Sequence, residues 1–334
     1  MRGPDRGGER RLASRANRPV EAVNEIEAFV LGRLAADLYP LQSGTPLDEV
    51  QTFGRFVGGF GGNVGTGLAR LGIRTAVLSG VGDDGHGRFL LRSLETEGVD
   101  ARWVTVHPTL RTALAFCELW PPDRFPLTAY RMPTCPDWEL RLGDLPLDLL
   151  RRAPLLYVSG TALAREPSRS AALGALEARR GGGDGVVATI IDLDWRREYW
   201  EHPEEYPLRI RLALEMADTV IGGESEFEGA RLSPAAAMEM GPGRAFIKRG
   251  PNGAVALEGD ERDEVGGLQV EVVNGLGAGD AFAAAVGYGL LKGMARADIL
   301  RLANAAGAMV TMQLPCAAAM PRPHELEAFL DSLP

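Results

Sequence analysis

The sequence predicts an α/β chain: a mainly parallel central sheet flanked by helices, with a small β-sheet lid. Three observations predict it. From Leu145 onward, β-branched apolar runs alternate regularly with helical patterns, as βα units of a parallel sheet do. Strand-like runs near 44–58 and 111–131 sit outside this alternation and suggest a small flap beside the main sheet. The stretch Val272–Met294 reads as a short apolar strand, a glycine turn and an Ala-rich helix.

The elements follow in order. Met1–Glu25 carries six arginines and few large apolar residues, with no apolar core of a signal peptide. It is expected to be a disordered extension ahead of one domain spanning 26–334. Glu27–Leu31 is a first strand, with Arg33 and Asp37 just beyond it. Phe53–Val57 is a second strand. Gly58-Gly59-Phe60-Gly61-Gly62-Asn63 follows as a glycine loop, then a helix to Gly72. Glycines ahead of a helix imply close approach of the backbone to a ligand or another segment. Asn63 there offers both a donor and an acceptor to a sugar hydroxyl. Thr75–Val81 is a strand, Gly87–Glu97 a helix and Arg102–Val106 a strand. Arg111–Leu119 and Pro126–Arg131 flank a turn, and Arg131 at its end could pair bidentately with a ligand carboxylate.

The second half is more regular. Strands are expected at Leu155–Ser159, Val186–Asp192, Thr219–Ile221 and Ala245–Lys248, the last with a hairpin partner at Ala254–Glu258. Helices fall at Ser168–Arg180, Arg209–Ala217, Ala297–Met312 and Glu325–Leu333. Asp37, Asp192, Asp194, Glu226 and Asp280 each follow a predicted strand. Ligands of such sheets bind at the carboxyl ends of strands.

Composition narrows the classes. With 334 residues and 45% hydrophobic content, the chain can bury a sizeable core. A net charge of −9 argues against nucleic-acid binding. Three widely spaced cysteines without a CxxC pair fit a reduced, cytoplasmic chain. No apolar run approaches a membrane span, and the four histidines show no metal spacing. GxxxxGK[ST] and HExxH are both absent.

The glycine turn Gly275–Gly279 carries the chemistry. Its backbone amides converge at a helix start, where the helix dipole favours an anion such as phosphate. Asp280 stands in the first helical turn, placed to accept a proton from an attacking hydroxyl. Anion hole plus base suits phosphoryl transfer to an alcohol.

Gly277-Ala278-Gly279-Asp280-Ala281-Phe282 resembles the C-terminal signature of ribokinase-like (phosphofructokinase-B type) carbohydrate kinases, and Gly58–Asn63 resembles their N-terminal one. The resemblance runs from Glu27 to Pro321. It implies ATP as donor, Mg2+ as counterion and a primary sugar hydroxyl as acceptor, with a monovalent cation left open. It makes Asp280 the base and Gly277, Ala278 and Gly279 the anion hole. It sets Asp37, Gly59 and Asn63 on the substrate, Lys248, Gly250 and Asn304 along the nucleotide, and Glu226 near the metal.

A narrower resemblance is to kinases of 5-dehydro-2-deoxygluconate. It rests on Gly32-Arg33, Asp37-Leu38-Tyr39, Phe125-Pro126-Leu127, Asp192-Leu193-Asp194-Trp195-Arg196 and Asn274-Gly275. That substrate is a sugar acid, so Arg33 or Arg131 would read its carboxylate. Asn274-Gly275 replaces the family's usual Asp-Thr, and Gly223 an Asn near the metal. A kinase for 2-keto-3-deoxygluconate or another ribokinase-like sugar kinase, and a catalytically inactive nucleotide- or sugar-binding regulator, stay open. Pairing of two lids into a homodimer fits an open sheet edge.

Overall fold

Strand β1 (Ala28–Leu31) is four buried apolar residues inside a nine-stranded sheet, third from one edge. The computed structural model describes residues 26–180, 182–183 and 185–333, so the Arg-rich stretch 1–25 lies outside the described residues. The further strands are β2 (Ala35–Pro40), β3 (Phe53–Gly58), β4 (Thr75–Gly82), β5 (Val104–His107), β6 (Leu114–Cys117) and β7 (Leu127–Tyr130). Then come β8 (Leu155–Ser159), β9 (Ala188–Asp192), β10 (Thr219–Gly223), β11 (Arg244–Lys248), β12 (Ala254–Glu258) and β13 (Glu261–Val265). The large sheet runs β13-β12-β11-β10-β9-β8-β1-β4-β5. It is parallel from β11 to β5, and β12 and β13 close one edge as antiparallel neighbours.

Alternation along these strands splits the core into two layers. Val30, Val77, Tyr157, Ile190 and Phe246 face one apolar cluster, while Phe29, Leu78, Val158, Ile191 and Ile247 face the other. The first layer packs under α1 (Phe60–Arg70) and α2 (Gly85–Thr96). The second takes α4 (Ser168–Arg179) and α5 (Tyr206–Leu214), after the short α3 (Leu147–Leu150). The short α6 (Glu224–Gly229) and α7 (Pro234–Met238) add to that second layer. Three further helices, α8 (Ala278–Leu291), α9 (Arg296–Thr311) and α10 (Pro323–Asp331), complete the first.

The smaller sheet has the order β3-β2-β6-β7. Its strand β2 brings Asp37 inside a strand, opposite Phe56, rather than in a loop past β1. Two other expectations change. Phe60 already begins α1, so Gly61, Gly62 and Asn63 are helical and not loop. A side chain on Gly62 would meet Val57 Cγ1 at 2.8 Å, so the glycines serve close packing. And Val272–Asn274 forms no strand. The amides of Val273 and Asn274 both donate to Thr311 O at the end of α9, which takes the place of a ladder.

Helix α8 lies close against its neighbours because its sequence is mostly Ala and Gly. A Cβ on Gly67 of α1 would fall 2.7 Å from Ala284, and one on Gly289 would fall 2.6 Å from Ile299. Under the helix, Tyr157 Oη donates to Ala283 O at 2.7 Å, directly where a Gly287 Cβ would stand. Gly287→Ala adds about 1 kcal/mol of helix propensity but forces overpacking that costs roughly 1–3 kcal/mol. The variant is expected to unfold at lower denaturant than the parent, and less so when combined with Tyr157→Phe. Urea titration of the four-member cycle checks this; additive effects would rule out the contact as the cause.

Candidate active site

The start of α8 is built by one left-handed residue. Gly277 has φ 81° and caps the helix, so the amides at its first turn have no intrahelical acceptor. Asn274, fully buried, fixes the approach: its Nδ2 donates to Leu314 O at 2.8 Å and its Oδ1 accepts from Leu276 N at 3.0 Å. An aspartate could make only the second bond, which accounts locally for Asn at this position. Gly275 leaves space that Phe125 fills, 2.6 Å from where a Cβ would be.

Asp280 follows the turn. Asn63 Nδ2 donates to its Oδ2 at 2.7 Å, joining the two glycine segments across 217 positions. Asn63 Oδ1 is buried and has no partner among the described residues. Burial raises Asp280 above the usual carboxylate range and the Asp194 charge adds to it, while Asn63, Arg33 and Lys248 pull back. Such a carboxylate is a stronger base than a free one.

Gly59, at φ 82°, lets α1 begin against the backbone of Arg33; a Cβ there would stand 2.6 Å from Arg33 O. The Arg33 guanidinium bonds Asp194 and Thr161 through Nη1 and stacks 5.4 Å from the Tyr199 ring centroid. Burial pushes Asp194 up, but Arg33, Arg196 and the Ser159 hydroxyl outweigh it and hold that carboxyl down at about 2. Arg131 is buried too. Its Nη2 meets Asp137 Oδ2 at 2.5 Å and its plane lies over Trp138 and Tyr199. Among the described residues its Nε and Nη1 have no partner.

At the end of the large sheet, Lys248 Nζ stands 3.2 Å from Asp192 Oδ2 and 3.2 Å from Glu226 Oε2. Glu226 also accepts from Gly223 N at 2.6 Å, capping its own helix. Burial opposes the lysine's charge, but Asp192, Glu226 and Asp280 outweigh it and raise the ammonium above its ordinary value. Nζ lies 3.3 Å from where a Gly279 Cβ would be, beside the glycine turn that opens α8. Two carboxylates bridged by a lysine cannot cage a bare ion. They would suit an Mg2+ that takes most of its ligands from phosphate oxygens and water.

A cleft between the two sheets is lined by Arg33, Asp37, Gly59, Asn63, Arg131, Gly277 and Asp280, residues singled out from the sequence. Lys248, Gly250, Asn304 and Glu226 do not line it. Asn304 Nδ2 donates to Gly266 O at 2.9 Å, and Gly253 of the Gly250 turn abuts Val265–Gly267. Asn304 and the Gly250 turn thus meet at the 265–267 segment, and Lys248 meets Glu226, both outside the cleft. The cleft also contains Tyr39, Arg196, Tyr199 and Cys316, which sequence reasoning gave no site role. For Arg196 and Tyr199 the signal was present, since both follow the acidic end of β9. For Cys316 none was.

A family model described as pfkB family carbohydrate kinase matches residues 26–323. The chain is similar to the 5-dehydro-2-deoxygluconokinase of Geobacillus kaustophilus (strain HTA426), at 33% identity over 94% of this chain and 96% of that one. It is similar to the fructokinase of Vibrio cholerae O395 solved with fructose, ADP and calcium, with TM-score 0.80 and 27% identity, covering 92% and 99% of the two chains. A putative ribokinase II from E. coli, solved with ATP and Mg2+, shares the fold at TM-score 0.83 and 24% identity, covering 92% and 100%. Both glycine segments fall inside the matched span, and the chain belongs to the pfkB family of carbohydrate kinases.

Proposed function

We propose that this kinase phosphorylates the terminal hydroxyl of the sugar acid 5-dehydro-2-deoxy-D-gluconate, a step of myo-inositol breakdown. One observation carries the reading. Arg131 is buried with two donor nitrogens unpartnered, in the wall of the cleft that also holds Asp280. Buried donors without acceptors are costly, and a ligand carboxylate can accept from one of these nitrogens while Nη2 stays on Asp137. Arg33 adds charge from the same wall. The similarity to a kinase named for this substrate supports the choice.

The chemistry follows from the parts. ATP is the phosphoryl donor, and Mg2+ when bound neutralises charge on its phosphates. Asp280 accepts the hydroxyl proton as the sugar oxygen bonds to the γ-phosphorus. The bond to the β-phosphate oxygen breaks and ADP leaves. The amides of Gly277, Ala278 and Gly279 take charge on the transferring group. Asp37, Gly59 and Asn63 hold the sugar; Lys248, Gly250 and Asn304 lie along the nucleotide, with Glu226 near the metal.

The outer face of the smaller sheet supports a homodimer. Phe53, Phe116 and Tyr130 stack edge to face at 5.3 and 5.4 Å, and Tyr130 is 62% exposed. Tyr130→Glu should convert dimer to monomer in light scattering; a parent monomeric at every concentration would remove this reading.

Asp280→Asn should lower kcat by about 10²–10⁴-fold while leaving ATP binding nearly unchanged, measured by ADP release and by nucleotide titration. Arg131→Lys keeps the charge but loses the guanidinium's separate donors to Asp137 and to a ligand, and should raise KM for the sugar acid roughly tenfold or more without affecting KM for ATP. ADP release across sugar acids and neutral sugars is the deciding assay. Preference for a neutral sugar, or full turnover in Asp280→Asn, sinks the proposal.

A further inference from the structure

Tyr39 carries one phenolic proton and stands between two groups able to accept it. Its Oη donates to Asp37 Oδ2 at 2.7 Å and lies 2.9 Å from Cys316 Sγ. An ionised carboxylate can only accept, so the phenol proton belongs on the Asp37 side. The Cys316 thiol then donates to the phenol oxygen. Burial, and after it the Asp37 charge, push this thiol well above its usual range, so it keeps its proton. Donors thus run in one direction, from Cys316 to Tyr39 to Asp37.

The chain of bonds spans both halves of the site. Asp37 and Tyr39 belong to β2 of the smaller sheet. Cys316 follows α9 and packs on the start of α8. A Cβ on Gly277 would stand 2.7 Å from Cys316 Cβ and 2.9 Å from its Sγ. Behind Asp37, Gly58 leaves no room for a side chain, so the carboxylate lies flat on β3. Among the described residues no donor reaches Asp37 Oδ1, and the residue lines the cleft.

We propose that Tyr39 is a positioning residue for the transfer: held by Cys316, it fixes Asp37 Oδ2, so that Oδ1 meets a sugar hydroxyl in register with the Gly277 turn. The inference rests on the reading of Asp37 as a sugar contact. It predicts a pH effect. The groups facing Asp37 are Tyr39 on its own strand, Arg33 before β2, Asp280 of α8, Cys117 of β6 and Cys316. Burial pushes Asp37 up to about 6, and the Tyr39 bond holds it below where burial alone would put it. Removing the phenol proton donor raises Asp37 further. The ionised form that accepts from the sugar is then reached only at higher pH.

Tyr39→Phe is expected to raise KM for the sugar about tenfold, the scale of a hydrogen bond to a charged group. The acid limb of kcat/KM should move to higher pH. Saturated kcat at alkaline pH and KM for ATP should stay near parental values. Cys316→Val should shift KM in the same direction by less, and Cys316→Ser, which restores a donor, should recover it. Unmoved KM and limb in Tyr39→Phe overturn the inference, as does a limb unmoved in Cys316→Val if Tyr39→Phe does not fold. Asp37→Asn separates the failures. Should it leave sugar KM unchanged, the reading of Asp37 fails and this inference with it. A raised KM there, beside an unchanged Tyr39→Phe, overturns the inference alone.

Discussion

Lys248 at the end of β11 lies 3.2 Å from both Asp192 and Glu226, and this largely buried triad ties the ends of three neighbouring strands together. Burying such ions adds little net stability, because desolvation offsets their attraction. Removing one partner is different: an uncompensated buried charge costs about 3–5 kcal/mol. The triad therefore constrains more than it stabilises. It fixes the carboxyl ends of β9, β10 and β11 relative to one another. The ammonium comes to rest beside Gly279, where the helix start already favours negative charge. Arg33 and Asp194 repeat the arrangement one strand-gap away, on the cleft side.

Close packing of α8 follows from the same need. The helix must reach the strand ends to bring its first turn beside Lys248. Only a face of Gly and Ala allows that approach, with Tyr157 beneath it and α1 and α9 on its flanks. The glycines of α1 play the matching part. They bring the backbone of Arg33 against the helix start and leave Asn63 able to bond Asp280. The two signatures, far apart in the chain, are thus one packed object joined by a hydrogen bond.

Much of this was legible in the sequence. The β-branched runs of β4, β8 and β9 announce themselves through burial on both faces. The helix start at Ala278 shows in its glycine turn. Elsewhere local pattern misleads. Val272 and Val273 are apolar like a strand, yet one carbonyl, Thr311 O at the end of α9, takes the amides of Val273 and Asn274. Gly61 and Gly62 look like loop residues, yet tertiary contacts hold them in a helix. Polar β13 was missed because it lies at the sheet edge, where hydrophobic alternation fades. Cys316 had no local signal at all, since its role comes only from meeting Tyr39 across 277 positions.

Phe125, in the connection between β6 and β7, rests where Gly275 has no side chain. With Leu127, Leu276, Leu314 and Tyr39 it forms a small apolar cluster between the smaller sheet and the turn before α8. A movement of that sheet is therefore a movement of the turn. The missing side chain of Gly275 thus makes Phe125 and the turn a matched pair: any side chain at 275 would have to displace the ring, and with it the packing of the smaller sheet on the start of α8.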